Sequence, residues 1–211
     1  MEGDRERWNA RWRERAGELE DASPFIVDQA NHLPACGRAL DLAGGAGRNA
    51  VWLARRGLDV TLADVSDVAL DKAELRAKRL SLENRMRFLR VDLEAPLPFA
   101  PLFDVVAVVH YLDRERRDSF AELLVDGGVL LAANPTVTNL ERHAKPSAAY
   151  LVERGELAKW VCSLDLELLA TREDWTVEGM HEASVIARKP IRVPAGEPTS
   201  GERGPASGPY R

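Results

Sequence analysis

The chain has 211 residues, of which 45% are hydrophobic, with a formal net charge of -5 and two cysteines. That length and apolar content fit one domain with a substantial core, and the acidic balance argues against a general binder of phosphate backbones. Cys36 and Cys162 sit in apolar sequence with no CxxC spacing and no histidine beside them, so buried free thiols are expected, with no disulfide and no metal site.

Met1 to Glu20 is dense in charge where a signal peptide would need an apolar core, and no apolar run approaches the roughly 20 residues of a membrane span. A soluble, cytoplasmic protein is expected, and the oligomeric state is left open. Residues 4–19 place Trp8, Trp12, Ala16 and Leu19 on one face of an amphipathic helix, which either packs on the domain or covers its ligand. Ser23-Pro24 starts a second short helix that ends by Pro34. The run Ala39 to Leu42 then enters a glycine-rich turn, Ala43-Gly44-Gly45-Ala46-Gly47, and a helix over Val51 to Arg56 leaves it.

A second strand runs from Leu58 to Ala63 and ends at Asp64; Ser66 caps the next helix, with Leu70, Ala73, Ala77 and Leu80 at helical spacing. A third strand covers Met86 to Val91 and is closed by Asp92, and the prolines of Pro96 to Pro101 make a stiff loop. Phe103 to Val109, apolar and valine-rich, reads as a parallel strand buried on both faces. It delivers His110 and Tyr111. Asp113 caps a helix with Phe120, Leu123 and Leu124 inside, Asp126-Gly127-Gly128 ends that helix, and the charge run Arg114 to Asp118 reads as its solvated start. Val129 to Ala133 is a fifth strand, and a polar connection holding His143, Lys145 and Tyr150 follows. A short helix over Glu153 to Trp160 and strands over Leu164 to Thr171 and Ala183 to Ala187 complete the domain.

Strand and helix alternate, which predicts a Rossmann-like, doubly wound α/β fold. Its seven-stranded sheet is mostly parallel, with helices on both faces and an antiparallel C-terminal strand. The chain divides into a helical segment over the ligand site (1–35), the catalytic domain (36–189) and a Pro/Gly/Ser-rich tail (190–211) expected to be disordered. In such sheets ligands lie beyond the carboxyl ends of the strands. Three of those ends carry a carboxylate: Asp41, Asp64 and Asp92. Asp64 is placed to accept from both hydroxyls of a ribose, and Asp92, with the Leu93 N–H, to read the amino group and a ring nitrogen of adenine. Gly45-Ala46-Gly47-Arg48-Asn49-Ala50 also satisfies the G-x-G-x-x-G/A dinucleotide pattern. Asp41 favours a different ligand, because an acid in this turn repels a diphosphate and attracts an ammonium group.

The stretch Leu40 to Gly57, the run Val60 to Ser66, the Val91-Asp92-Leu93 end and Phe103 to Arg114 resemble the successive motifs of class I S-adenosylmethionine-dependent methyltransferases. Within that superfamily, Gly47-Arg48-Asn49-Ala50 with Leu53 to Gly57 is similar to the tellurite-resistance and thiopurine methyltransferase-like branch. The resemblance implies S-adenosylmethionine as cofactor, with S-adenosylhomocysteine as product. Asp41, Ala43, Gly45, Gly47 and the backbone near Val109 and His110 would surround its methionine part, Asp64 and Val65 the ribose, and Asp92 and Leu93 the adenine. Arg48 and Asn49 are typical of the branch. The family usually has glycine where this chain has Ala43, and the extra methyl bears on cofactor affinity.

The implied reaction is in-line methyl transfer to a small-molecule acceptor with a sulfur, selenium, tellurium, nitrogen or oxygen nucleophile. His110 and Tyr111 are the candidate catalytic groups. No nucleic-acid or membrane partner is expected. Two alternatives stand: a cofactor-binding protein without catalysis, suggested by Ala43, and an NAD(P)-dependent oxidoreductase, suggested by the glycine spacing.

Overall fold

A computed structural model describes residues 2–15, 21–100 and 102–192. Its elements in chain order are α1 (Glu2–Glu14), α2 (Pro24–Asp28), β1 (Gly37–Leu42), α3 (Arg48–Arg55), β2 (Leu58–Asp64), α4 (Asp67–Arg79), β3 (Met86–Arg90) and β4 (Phe103–Val109). They are followed by α5 (Arg117–Glu122), β5 (Leu124–Pro135), α6 (Glu156–Ser163), β6 (Glu167–Trp175) and β7 (His181–Arg188). The seven strands form one sheet in the order β3-β2-β1-β4-β5-β7-β6. The pairs from β3 through β5 are parallel, and β7 runs antiparallel to both β5 and β6. The strand order reverses between β1 and β4, where open α/β sheets hold their ligands.

The valine-rich β4 shows why the sheet must be covered on both sides. Val105, Ala107 and Val109 pack into one apolar cluster with residues of α3 and α4, while Val106 and Val108 join a second with Phe120 of α5 and Trp160 of α6. Period-two alternation on a strand that is apolar from Val105 to Val109 sends side chains to two cores. Ser66 caps α4 as expected, its hydroxyl accepting from the Ala69 N–H at 3.2 Å.

Three expectations are corrected. The helix with Phe120 stops at Glu122, and Asp126-Gly127-Gly128 belongs to β5. Leu124 pairs with Phe103, and the glycines are tied into the sheet by Gly127 N–H to Lys189 O and Lys189 N–H to Gly128 O, both 2.8 Å, so ladder bonds override the helix-stop signal. Cys36 and Cys162 are free as expected but exposed, because each falls at the edge of an element instead of on its inner face. The run Arg114 to Asp118 is not simply solvated. Arg114 and Arg117 both donate to Glu156 at 2.7 Å, and the Trp160 indole donates to Asp118, which fastens this segment to α6. Burial works to raise the Glu156 pKa, but the two guanidiniums and the Glu153 N–H overcome it and hold the carboxyl at about 2.

Finally, α1 docks through Asn9 and Trp12, while Trp8 stays exposed beneath the Arg11 guanidinium. The expected positions of Ala16 and Leu19, and the tail from residue 193, lie outside the described residues. No helix among the described residues is long and apolar enough to cross a membrane.

Candidate active site

The glycine turn leaves β1 with Ala43, Gly45 and Gly47 all at positive φ, 51°, 56° and 77°. The N–H of Gly47 closes the turn onto Gly44 O at 3.0 Å, and α3 begins at the next residue. The glycines serve different neighbours. A Cβ on Gly44 would collide with Leu62 and stand 2.5 Å from Asp41 Oδ2, and one on Gly45 would stand 2.5 Å from the Trp12 ring. Ala43 adopts the left-handed conformation with a methyl group, at a cost of roughly 1–2 kcal/mol.

Asp41 is buried just before this turn. Its Oδ2 accepts the Ala50 N–H at 3.1 Å, and its Oδ1 has no partner among the described residues. Burial raises its pKa to about 7, opposed by the Ala50 N–H and Arg48 and reinforced by Asp64. Buried polar atoms are nearly always satisfied, so this oxygen calls for a partner. Asp64 ends β2 with Oδ2 accepting from Gly45 N–H and Oδ1 from Ser66 N–H, each at 2.8 Å. Burial pushes its carboxyl up, while these bonds and the Val65 N–H pull it down. Asp92 follows β3 and turns its own loop, accepting the Glu94 N–H at 3.0 Å; Leu93 is buried, and Val109 is buried at the end of β4. Asp64 is thus bonded to the glycine turn, Asp41 lies against the same turn with its bond to α3, and Asp92 and Leu93 stand at the next strand end along the rim.

Over this unit lies α1. Asn9 Oδ1 accepts from the Ser66 hydroxyl at 2.7 Å and the Val68 N–H at 3.2 Å, and Lys72 of α4 donates to the carbonyls of Trp12 and Arg15. Helix α1 is therefore pinned to the start of α4 with the Trp12 ring on Gly45.

His110 and Tyr111, adjacent in sequence, part company. Tyr111 turns inward against Phe120, with ring centroids 6.2 Å apart, and its phenol pKa is driven well up by burial and the nearby Asp113 carboxylate, so it keeps its proton. His110 has a positive φ of 61°, with its N–H on Ala133 O at 2.8 Å, and its ring lines a cavity of about 190 Å³. Arg48 lines the same cavity. Asn49 instead points back into the fold: its Oδ1 accepts the Ser23 N–H at 2.9 Å and so places α2, whose Pro24 and Phe25 form one wall. Sequence reasoning missed the opposite wall, Arg172, Met180 and Glu182 from the β6–β7 hairpin. The only signal was their position in a polar turn beside a strand end. His143 bonds Gly179 O at 2.9 Å outside this cavity, and Tyr150 is exposed.

Residues 39–128 match the methyltransferase domain family. The chain is 29% identical over 166 residues to the ubiquinone biosynthesis O-methyltransferase of Psychrobacter arcticus, covering 68% of this chain and 62% of that protein. It is 37% identical over 101 residues to the ribosomal protein L11 methyltransferase of Thermus thermophilus, covering 47% of this chain and 39% of that one. The chain thus spans less than two thirds of the length of either relative. TehB from Haemophilus influenzae has a similar fold, with a TM-score of 0.62 at 23% identity over 78% of this chain and 61% of that one. The sheet topology and these comparisons agree in likening the chain to S-adenosylmethionine-dependent methyltransferases.

Proposed function

We propose that the chain transfers a methyl group from S-adenosylmethionine to a small-molecule acceptor. The observation that carries this reading is the buried Oδ1 of Asp41, without a partner among the described residues, at the entry to the glycine turn. Its charge suits the amino-acid ammonium of the cofactor and disfavours a diphosphate. When bound, S-adenosylmethionine supplies an electrophilic methyl on a sulfonium that departs as a neutral thioether.

The residues then divide the work. Asp41 and the turn Ala43, Gly45 and Gly47 hold the methionine part with the Val109 backbone; Asp64 and Val65 take the ribose, and Asp92 and Leu93 the adenine. Trp12 excludes water above the turn, making residues 1–35 a cover for the 36–189 domain. Arg48 reaches the acceptor side, while Asn49 acts through α2. Of the two candidate bases His110 is retained, and Tyr111 is a wall. The cavity's small size and mixed charge support a small acceptor over a macromolecular one. The tellurite-resistance and thiopurine-like branch is supported by Gly47-Arg48-Asn49-Ala50 and by the fold likeness to TehB. The exposed free cysteines suit a reducing cytoplasm.

Ala43, with its methyl in the turn, favours a second reading, a cofactor binder without catalysis. Calorimetry with S-adenosylhomocysteine and with NAD tests the first step: binding of the former alone is expected, and its absence sinks the methyltransferase reading. Labelled methyl transfer to phenols, thiols and metalloid oxyanions then separates enzyme from binder.

A further inference from the structure

Resting on the methyltransferase reading, we propose that Glu182 is a positioning residue for His110, and that this pair serves an acceptor that arrives protonated, a hydroxyl of phenol or enol type. His110 Nε2 lies 2.6 Å from Glu182 Oε2, and the Glu182 side chain is only 11% exposed. With Nε2–H donating to that carboxylate, the lone pair is fixed on Nδ1, in a ring that remains a third exposed on the cavity it lines. Both partners are placed with effort. His110 is held in a left-handed conformation at the end of β4, and Glu182 reaches the same rim because β7 runs antiparallel, pairing Glu182 with Pro135. A carboxylate with so little solvent, bonded to an imidazole, orients the ring and stabilises its protonated form. That service is needed by a hydroxyl and superfluous for a thiolate or an oxyanion.

The cavity agrees in size and lining. Its volume, about 190 Å³, lies below the roughly 300–1,000 Å³ of sites for drug-sized ligands, which suits a single-ring acceptor. Pro24, Phe25 and Met180 offer apolar contact. The charged groups that share it with His110 are Asp28 of α2, Arg48 of α3, Arg172 and Asp174 of β6, Glu178 of the hairpin and Glu182 of β7. Arg172 and Asp174 pair with each other at 3.7 Å, which leaves Glu182 as the carboxylate bonded to the ring. In the step itself the acceptor oxygen forms a bond to the methyl carbon, and the carbon–sulfur electron pair leaves with the thioether. The hydroxyl proton passes to Nδ1 of His110, and the resulting imidazolium is stabilised by Glu182.

The test uses the full chain with catechol and thiophenol as acceptors, and Glu182→Gln, Glu182→Asp and His110→Gln as variants. His110→Gln is expected to lower kcat/KM on catechol by roughly 10²–10⁴-fold, and Glu182→Gln by about tenfold with partial rescue in Glu182→Asp. Thiophenol, ionised without help, should change less than about threefold in all three. The loss in Glu182→Gln is expected in kcat, with the KM for catechol held within about twofold, as fits a residue that orients the base and leaves the acceptor's contacts in place. In nitrogen-15 histidine-labelled apo protein the His110 ring is expected as the Nε2–H tautomer and in Glu182→Gln as a mixture of tautomers, with the His110 signals identified by their loss in His110→Gln. Methylation of thiophenol but not catechol, or the same tautomer pattern in wild type and Glu182→Gln, overturns the proposal. Failure of the wild type to bind S-adenosylhomocysteine overturns the methyltransferase reading instead, and the apo tautomer pattern still decides whether the pair exists.

Discussion

On the side of the rim formed by β1, β2 and β3, the carboxylates are held by backbone N–H groups of their own and neighbouring turns: Asp41 by Ala50, Asp64 by Gly45 and Ser66, Asp92 by Glu94. On the side formed by β4, α2 and the β6–β7 hairpin, polar groups are held by side chains from far along the chain, His110 by Glu182 and Ser23 by Asn49. The first arrangement ties each carboxylate to main chain within the continuous passage from β1 to the loop after β3, the widest of these bonds spanning the 19 residues from Gly45 to Asp64. The second depends on several separately placed segments. If the chain is a methyltransferase as proposed, this contrast is the one expected between a constant cofactor side and an adjustable acceptor side.

The sharpest way to break this contrast is Asp64→Ala. Losing two charge-assisted bonds in the turn and the ribose contact should weaken S-adenosylhomocysteine binding by about 100-fold or more in calorimetry, while Glu182→Gln leaves it within about twofold. Equal losses would erase the division. Next, Gly45→Ala introduces both a left-handed alanine and a Cβ 2.5 Å from the Trp12 ring, and should destabilise the protein by about 2 kcal/mol in chemical denaturation. Adding Trp12→Ala should recover about half of that, and no recovery would mean that α1 does not rest on the turn.

A tenfold effect is expected from pH. The folded pKa of Asp41, raised to about 7, exceeds its ordinary value near 3.8, so its ionisation removes stability from the apo protein as pH rises from about 4 to about 7. A ligand ammonium stabilises the ionised form. Binding of S-adenosylhomocysteine near pH 6 should therefore release close to one proton, read from calorimetry in buffers of different ionisation enthalpy, and Asp41→Asn should abolish the release and lower affinity about tenfold. The smallest effect belongs to Ala43→Gly. Relief of the left-handed strain, less the added freedom of the unfolded chain, leaves a gain of about 0.5 kcal/mol in denaturation.

The strand ends and the glycine turn that the proposed cofactor site uses were legible because their signals are local. Asp41, the glycines and Asp64 fall within one strand-turn-helix-strand passage, and period-two and helical spacing locate each strand end. The His110 cavity was not, since Glu182 meets His110 across 72 residues and nothing in the sequence around Glu182 marks it. Adjacent candidates also misled: spacing cannot tell that His110 turns to the cavity while Tyr111 turns to the core, because that split follows from a single positive φ. The β5 boundary failed for a related reason, as a glycine pair that commonly stops a helix was captured by ladder bonds to Lys189.

The β6–β7 hairpin bends back through Thr176 to Met180, closed by Thr176 N–H on Met180 O at 2.7 Å and Gly179 N–H on Thr176 O at 2.9 Å. Because β7 is the antiparallel strand, this bend sits on the same rim as the glycine turn but three strands away from it. Besides its own two bonds, it is tied at Gly179 O to His143 of the connection after β5. Under the methyltransferase reading, a change of acceptor would be made by varying the residues between Trp175 and His181 together with that connection, leaving the sheet, the glycine turn and the tryptophan above it as they are.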